Sequence, residues 1–195
     1  GNADFSSPCT TRGSLVMSPT GAAYASFEDG YGKFFVMDLQ NGIWSNVGTA
    51  ALASYIQASA LAVDSQGTPY VAYTSAKNNT HVMQFNGSQW VSVGIPFANT
   101  TLSSSNASLV ISNTVPYAGL YDNNGNPIVE EFYNNQWIAV GNPFPQNTTE
   151  AFTLAVSANG TLYAALITNT GINVMVWNGN SWKSVGNTIS IDTFN

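Results

Sequence analysis

The stretch that decides the fold is Val82-Met-Gln-Phe-Asn-Gly-Ser-Gln-Trp-Val-Ser-Val-Gly94. Asn86-Gly87 separates two short runs of apolar and polar residues, and this dipeptide readily adopts the positive φ that a tight hairpin needs. The stretch therefore predicts two antiparallel strands joined by a turn. Its last five residues, Trp-x-x-Val-Gly, occur four times at spacings of 46, 47 and 45 residues, beginning at Trp44, Trp90, Trp137 and Trp182.

Other residue types recur in register with this motif. A Val lies eight positions before each Trp, a Tyr lies about 20 positions before it, and a Leu lies eight or nine positions before each Tyr. A fixed order of residue types that returns four times is an internal repeat. The recurring residues are Val36, Val82, Val129 and Val174; Tyr24, Tyr70, Tyr117 and Tyr163; and Leu15, Leu61, Leu109 and Leu154.

Each copy of the repeat is interpreted as four short strands. In the second copy these are residues 61–64, 69–73, 81–85 and 90–93, in which aromatic and β-branched residues alternate with small or polar ones. A four-stranded antiparallel unit repeated at this spacing is typical of a propeller blade. The sequence predicts an all-β chain, a single β-propeller domain of four blades with four antiparallel strands each. The predicted blades are 14–48, 60–94, 108–141 and 153–186, and the recurring Trp, Tyr and Leu form the contacts between them.

The repeat resembles the Trp-x-x-Val-Gly propeller repeats of secreted microbial proteins, and the resemblance covers residues 14–186. It implies extracellular exposure and no particular activity, since such repeats share no catalytic residues. The terminal segments 1–13 and 187–195 are expected to serve ring closure or contact between subunits. The favoured arrangement is a closed four-bladed ring with a terminal segment paired across the seam. An eight-bladed ring of two chains and a filament built by strand addition remain alternatives.

Composition excludes several classes of partner. Charged residues make up 7% of the chain, against about 25% in an average soluble domain. Four cations and a net charge of −6 cannot form the basic face that nucleic acids require. No apolar run is long enough to span a bilayer, so membrane insertion is not expected. Cys9 is the only cysteine, which rules out an internal disulfide and leaves a structurally idle or buried thiol, or a link to a second chain.

Two adjacent carboxylates are the leading candidates for a ligand-binding role. Glu130 stands where the other three copies of the repeat have Met, and a carboxylate buried there without a partner would be costly. Glu130 and Glu131 would point to opposite faces of one strand, so the pair does not form a glycosidase dyad by itself. Besides their contact role, the recurring tryptophans are candidates to stack on a ligand: Trp44, Trp90, Trp137 and Trp182.

The sequence offers few residues that could hold a metal ion or a cofactor. With one His and one Cys the chain cannot build a zinc site, and no cofactor is expected. Asp122, Asn124 and Asn126 offer alternate oxygens as a weak cation candidate, but Asn124-Gly125 is more simply a hairpin turn. Six Asn-x-Ser/Thr sequons are candidate glycosylation sites: Asn78, Asn86, Asn99, Asn106, Asn147 and Asn159.

These features predict a non-catalytic binding or scaffold module, extracellular or at the cell surface. Loops at the blade ends would contact carbohydrate or protein, and a surface rich in Asn, Gln, Ser and aromatic residues favours a lectin. The alternative is a structural subunit of an extracellular fibre or coat, assembled through the terminal segments. A glycan-processing enzyme that uses Glu130 and Glu131 is the third possibility.

Overall fold

The chain forms four antiparallel β-sheets in a row, one for each copy of the repeat. The computed structural model describes residues 9–48, 51–98, 100–101, 108–144 and 151–190. Each sheet contains four strands in sequence order, each paired with the next along the chain, and two of the sheets have a short fifth strand. The prediction of an all-β chain with four antiparallel strands in each copy is confirmed.

Sheets 1 and 2 contain the first nine strands. Sheet 1 consists of β1 (Cys9–Met17), β2 (Ala23–Asp29), β3 (Lys33–Gln40) and β4 (Ile43–Asn46), with the two-residue β5 (Ala53–Ser54) paired to β3. Sheet 2 consists of β6 (Ala58–Val63), β7 (Pro69–Thr74), β8 (Thr80–Phe85) and β9 (Trp90–Ser92).

Sheets 3 and 4 repeat the same order. Sheet 3 consists of β10 (Ser108–Ser112), β11 (Val115–Tyr121), β12 (Pro127–Tyr133) and β13 (Gln136–Ala139). Sheet 4 consists of β14 (Ala151–Val156), β15 (Leu162–Thr168), β16 (Gly171–Trp177) and β17 (Trp182–Ser184), with β18 (Ile189–Ser190) paired to β16. Among the residues described, no helix has the length and apolar character needed to cross a membrane.

Turn chemistry explains why the third and fourth strands of each sheet form hairpins. In sheet 1, Asn41 and Gly42 have φ values of 50° and 79°, the combination required by a two-residue turn of type I′. Asn134 and Asn135 do the same in sheet 3 with φ values of 48° and 62°. In sheets 2 and 4 the turn is longer, and the Asn side-chain oxygen accepts the backbone N–H groups two and three residues ahead.

The hydrophobic core lies between neighbouring sheets, because a single sheet cannot bury both of its faces. Each interface is a separate apolar cluster. Phe34, Val36 and Val47 of sheet 1 pack with Leu61 and Val71 of sheet 2. Equivalent clusters join sheet 2 to sheet 3 and sheet 3 to sheet 4. The inner edge of the row is formed by the first strand of each sheet, since β1 contacts β6, β6 contacts β10 and β10 contacts β14.

One tryptophan hydrogen bond recurs at each of these three interfaces. The Nε1–H group of a Trp in one sheet donates to the carbonyl oxygen of the Val in the preceding Trp-x-x-Val-Gly motif, at 2.8 Å each time. The following Gly lies against the same indole ring, and a Cβ there would lie 3.2, 2.9 and 3.0 Å from that ring at Gly48, Gly94 and Gly141. The prediction that the recurring tryptophans are contacts between repeats is confirmed for three of the four. The donor and acceptor pairs are Trp90 with Val47, Trp137 with Val93, and Trp182 with Val140.

A fourth equivalent interface, from sheet 4 back to sheet 1, is not formed by the described residues. No contact between β14 and β1 in this part of the chain compares with those between the other first strands. Val185 is exposed, and a Cβ built on Gly186 would meet no described atom within 4 Å. The favoured closed ring, with a terminal segment paired across the seam, stays a prediction, because residues 1–8 and 191–195 lie outside the described residues.

The segment that follows the last Trp-x-x-Val-Gly motif pairs within its own sheet as far as residue 190. Ile189 and Gly171 belong to the two strands of a pair within sheet 4 itself. The segments after the other three motifs do the same in their own sheets, where Leu52, Phe97 and Phe144 donate N–H groups to the third strand or its start. Residues 187–190 are thus the fourth copy of an in-sheet return.

Replacing Gly141 tests the packing of the indole ring on the glycine. A Cβ at Gly141 would lie 2.8 Å from Trp177 and 3.0 Å from Trp182, at a φ of +79°. Gly42 has the same φ and no described atom within 4 Å of its Cβ position. We expect Gly141→Ala to lower the free energy of unfolding by about 3 kcal/mol, from backbone strain and overpacking, and Gly42→Ala by about 1 kcal/mol from strain alone. Urea denaturation measures both, and equal losses would contradict the packing described.

Candidate functional site: a groove between sheets 2 and 3

The candidate site is a groove of about 630 Å³ where sheet 2 meets sheet 3. One wall is the chain that follows Gly94, residues 95–98. The other wall comes from the outer strands of sheet 3, with Glu130 on β12 and Asn135, Gln136 and Trp137 at the turn into β13. The groove therefore joins residues from two copies of the repeat that are about 40 positions apart in sequence.

Trp137 is held rigidly in the wall of this groove. Its Nε1–H group donates to the carbonyl oxygen of Val93 at 2.8 Å. Its ring packs at a tilt against Phe97, with centroids 4.9 Å apart, and against Phe132, with centroids 5.2 Å apart. Tilted aromatic pairs of this kind are favourable beyond the area that they bury. A ligand would therefore meet an aromatic and aliphatic wall that needs no rearrangement.

Glu130 brings a carboxylate into this apolar setting. Glu130 pairs with Ala118 on one side and Ala139 on the other. Residues paired across strands point to the same face, and Ala118 belongs to the cluster between sheets 2 and 3. Glu130 therefore projects from the face that meets sheet 2. Burial raises the pKa of the Glu130 carboxyl above its ordinary value. The carboxylate is half-buried and half-accessible from the groove, as a group that accepts hydrogen bonds from a ligand would be.

The matching groove between sheets 3 and 4 shows what Glu130 changes. That groove has a volume of about 270 Å³ and is lined by Phe144, Met175 and Trp182, the counterparts of Phe97, Glu130 and Trp137. The backbone frame is the same in both, but the carboxylate is replaced by a thioether. Of these two grooves, the one between sheets 2 and 3 alone combines an aromatic wall with an acidic hydrogen-bond acceptor.

Glu131 lies on the opposite face of the same strand, as predicted. It pairs across the sheet with Tyr117, which belongs to the cluster between sheets 3 and 4. Burial, together with the hydrogen bond from the phenol to Glu131 and its negative charge, raises the pKa of Tyr117 to about 12. Glu131 is thus a partner of Tyr117 and does not line the groove that contains Glu130.

The remaining tryptophans among the predicted site residues divide by position. Trp182 lines the smaller groove, and Trp90 packs on Gly48 at the interface of sheets 1 and 2. Trp44 pairs with Leu39 in sheet 1, on the face directed away from sheet 2. The structure therefore brings Trp137 and Glu130 together in one groove, and places Trp44, Trp90, Trp182 and Glu131 elsewhere.

Asp122, the weak cation candidate, accepts the hydrogen bonds that close a turn. Its Oδ1 atom accepts the backbone N–H groups of Asn124 and Asn126 at 2.8 Å each, and its Oδ2 atom accepts from the Asn126 side chain. Burial alone would raise the pKa of Asp122, but these hydrogen bonds hold it below the ordinary value. Asp29 and Ser75 close the equivalent turns of sheets 1 and 2 in the same way. Within the described ranges, no three His, Cys, Asp or Glu side chains cluster around a point where a metal ion could be held.

The sequons fall on turns wherever the structure describes them. Asn78, Asn86 and Asn159 are all exposed. Asn99, Asn106 and Asn147 lie outside the described residues. Cys9 is the first residue of β1.

Sequence reasoning singled out Glu130 and Trp137 but missed the other wall of the groove. That wall is formed by Ile95 and Phe97, and a signal for it was present. The chain reads Gly94-Ile-Pro-Phe97 after the second motif and Gly141-Asn-Pro-Phe144 after the third, so the repeat extends three residues past its Gly. A longer repeat definition would have placed an aromatic ring beside each groove.

The comparisons with known proteins identify the fold. The chain matches no known protein-family model. No curated protein matches it in sequence. Among solved structures, the SapL1 lectin in complex with α-methyl fucoside matches with a TM-score of 0.68 and 14% identity, over 93% of this chain and 65% of that chain. AofleA from Arthrobotrys oligospora matches with a TM-score of 0.67 and 14% identity, over 94% of this chain and 58% of that one.

A third match names the architecture. The fucose-binding lectin of Aleuria aurantia, described as a six-bladed β-propeller, matches with a TM-score of 0.60 and 17% identity, over 94% of this chain and 65% of that chain. The chain thus spans slightly less than two thirds of the length of these lectins. A prolyl endopeptidase also matches, with a TM-score of 0.60 and 10% identity, over 90% of this chain but 28% of that chain. At these identities the similarity shows the fold, which is that of a β-propeller.

The pH dependence of stability tests the placement of Glu130. Because burial raises its pKa in the folded state, the carboxyl stabilises the fold when protonated and costs free energy once it ionises. We therefore expect Glu130→Gln to match the parent protein below pH of about 4 and to become relatively more stable as the pH rises, by up to about 1 kcal/mol at neutral pH. Thermal unfolding at several pH values measures this. A parent protein that gains relative stability as the pH rises would contradict it.

Proposed function

We propose that this chain is a run of four propeller blades that acts as a non-catalytic, carbohydrate-binding module of lectin type. The observation that carries the proposal is the half-buried carboxylate of Glu130 beside the rigid ring of Trp137 in the groove between sheets 2 and 3. Carbohydrate recognition needs an apolar wall for the C–H face of the sugar and a few fixed polar groups for its hydroxyls.

The groove supplies both kinds of contact. A carboxylate only accepts hydrogen bonds, so the ionised Glu130 suits the hydroxyl groups of a neutral sugar. Asn135 and Gln136 are exposed at the rim and can both donate and accept. Phe97 and Trp137 supply the apolar wall.

A neutral deoxy-sugar is the first ligand to test. SapL1 lectin was solved with α-methyl fucoside, and the Aleuria aurantia lectin is described as having a fucose recognition mode. The C5 methyl group of such a sugar would suit the apolar wall of the groove, whereas an anionic sugar would be repelled by Glu130 and by the net charge of −6. The described basic side chains Lys33, Lys77 and Lys183 do not line the groove.

The placement of the carboxylates supports a non-catalytic role. Glycoside hydrolysis needs two carboxyl groups on either side of one bond. Glu130 and Glu131 project from opposite faces of β12, so they cannot flank one substrate. This arrangement disfavours the third possibility, a glycan-processing enzyme built on this pair.

The location that suits this function is outside the cell or on its surface. A chain with few charges and a polar surface of Asn, Ser and Thr, with sequons on exposed turns at Asn78, Asn86 and Asn159, supports that placement. A protein partner at the same groove is the alternative ligand class, and the test below separates the two.

Substitution of Glu130 tests the proposal directly. We expect isothermal titration to detect binding of α-methyl fucoside or another neutral glycoside. Glu130→Gln should weaken that binding about tenfold or more, because a hydrogen bond to a charged group contributes about 1.5–3 kcal/mol. The matched control is Asp38→Asn, which removes a carboxylate of β3 outside the groove and should leave the affinity unchanged.

The ligand class is tested with a glycan array. Binding to glycans that Glu130→Gln abolishes and Asp38→Asn retains would support the carbohydrate proposal. An array without binding, together with no heat of binding for simple neutral glycosides, would overturn it. Equal affinities for the parent protein and Glu130→Gln would move the site away from this groove.

A further inference from the structure

A second groove, of about 520 Å³, lies at one end of sheet 2. Its walls are the turn that joins β6 to β7, at residues 66–68, and the turn that follows β8, at Asn86 and Gly87. These turns lie at the same end of the sheet because the four strands are antiparallel and in sequence order. Tyr24 on β2 completes the lining from sheet 1. We refer to this surface as the turn groove, and it shares no lining residue with the groove that contains Glu130.

Both turns are held in shape by side-chain hydrogen bonds. The Oδ1 atom of Asp64 accepts the backbone N–H groups of Gln66 and Thr68, at 2.9 and 2.8 Å. The Oδ1 atom of Asn86 accepts the backbone N–H groups two and three residues ahead, at 3.0 and 2.9 Å. Such turns are fixed by their own side chains. A ligand would therefore enter a groove whose walls are already ordered, which lowers the cost of binding.

The lining of the turn groove carries hydrogen-bonding groups with spare capacity. The side-chain amides of Gln66 and Gln84 make no hydrogen bond within the described part of the chain. The phenol of Tyr24 donates to the carbonyl oxygen of Gly67 at 3.4 Å, which is long for a hydroxyl donor. An amide side chain both donates and accepts, and so does a phenol. The turn groove therefore presents donors and acceptors together.

The charge and apolar content of the lining narrow the class of ligand. No Lys, Arg, Asp or Glu lines the turn groove. An ionised ligand would lose water there without gaining a counter-charge. Pro69 and Phe85 add apolar surface beside the amides. A neutral molecule with many hydroxyl groups and apolar C–H faces matches this lining, and a saccharide has both properties.

The spacing between neighbouring turns opens this groove at sheets 1 and 2. A Cβ built on Gly67 has its nearest described neighbour at 4.0 Å, the Oγ1 atom of Thr20. At the equivalent turn of sheet 4, a Cβ on Gly160 would lie 3.0 Å from the Nδ2 atom of Asn113 in sheet 3. The turn of sheet 4 thus packs on its neighbour, whereas the turn of sheet 2 stands away from sheet 1.

We propose that the turn groove is a second saccharide site, selective for fully hydroxylated neutral hexosides. The choice of ligand class rests on the proposed function, but the site itself uses different residues and a different pair of sheets. The groove at Glu130 has an aromatic wall that suits the methyl group of a deoxy-sugar. The amides of Gln66 and Gln84 instead suit hydroxyl groups, which donate and accept in turn. One chain therefore holds two sites and can link two glycans.

Nuclear magnetic resonance of the ¹⁵N-labelled protein tests this site directly. The probes are α-methyl glucoside, α-methyl mannoside and α-methyl galactoside at millimolar concentrations. We expect at least one of them to shift the side-chain amide signals of Gln66 and Gln84 in a saturable way. Gln84→Met keeps the length of the side chain and removes the amide, so it should weaken this binding about fivefold. The matched control is Gln89→Met, an exposed residue of the adjoining turn that lies outside the groove, and it should bind like the parent.

A second pair of variants tests the contribution of the phenol. Tyr24→Phe keeps the ring and removes the hydroxyl group, and it should also weaken hexoside binding about fivefold. Tyr163→Phe makes the same change at the same position of the repeat in sheet 4, outside the turn groove, and should have no effect. Circular dichroism of all four variants checks that the fold is retained.

The outcomes separate this site from the groove at Glu130. Glu130→Gln should leave hexoside binding at the turn groove unchanged, and Gln84→Met should leave binding at Glu130 unchanged. If no hexoside shifts the two amide signals, or if Gln84→Met and Gln89→Met bind equally, the second site is overturned and the proposal for Glu130 stands. If Gln84→Met weakens binding and Glu130→Gln affects no glycoside, the second site stands and the site at Glu130 is overturned. Tighter binding of α-methyl fucoside than of the hexosides at Gln84 would overturn the stated selectivity.

Discussion

The whole arrangement depends on a hydrogen bond between an indole N–H group and a valine carbonyl in the preceding repeat, at 2.8 Å in each of three interfaces. A carbonyl buried at an interface is costly without a donor, and the Trp supplies that donor while its ring fills the space above a glycine. The contact is directional, so it sets the position of one sheet on the next, whereas apolar burial alone would allow sliding. Charged residues make up only 7% of the chain, so few ion pairs are available to position the sheets.

A repeat also makes deviations informative. Two positions before Leu39, Phe85, Phe132 and Trp177 in the third strands, the first, second and fourth copies have Met and the third copy has Glu130. The aromatic side chains around this position are the same in the two grooves. Phe97 packs against Trp137 as Phe144 packs against Trp182. Burial raises the pKa of Glu130 in that frame. Keeping this carboxyl ionised therefore costs stability, and the Met residues of the other copies carry no such cost. Such a cost in an otherwise regular repeat is typical of a functional position.

The ends of the row follow from the same interface. A sheet in the middle is covered on both faces, but a terminal sheet has one face that its own chain does not cover in the described part of the molecule. Exposed Leu15, Met17, Val185 and Ile189 are the counterparts of core residues, so their exposure reflects position in the row and not residue type. The solved lectins with this fold have longer chains, and this chain spans 65% of two of them.

The sequence by itself determined the repeat, the strand order within each sheet and the residues of the interfaces. These properties depend on local turn chemistry at Asn-Gly and Asn-Asn and on the alternation of residue types along a strand. Both can be recognised in short stretches of sequence. It also identified Glu130 as an outlier and showed that Glu131 must point the other way. The hairpin role of Asp122 followed from the same local rules.

Only the tertiary structure decided which of these residues meet. That Glu130 shares a groove with Phe97 and Trp137 depends on how sheet 3 packs against the chain leaving sheet 2, a contact between distant positions that no local pattern reports. How close sheet 4 comes to sheet 1 is also a property of the angle between sheets. That angle results from the packing of many side chains. The number of repeats that closes a ring therefore cannot be deduced from the sequence of one repeat.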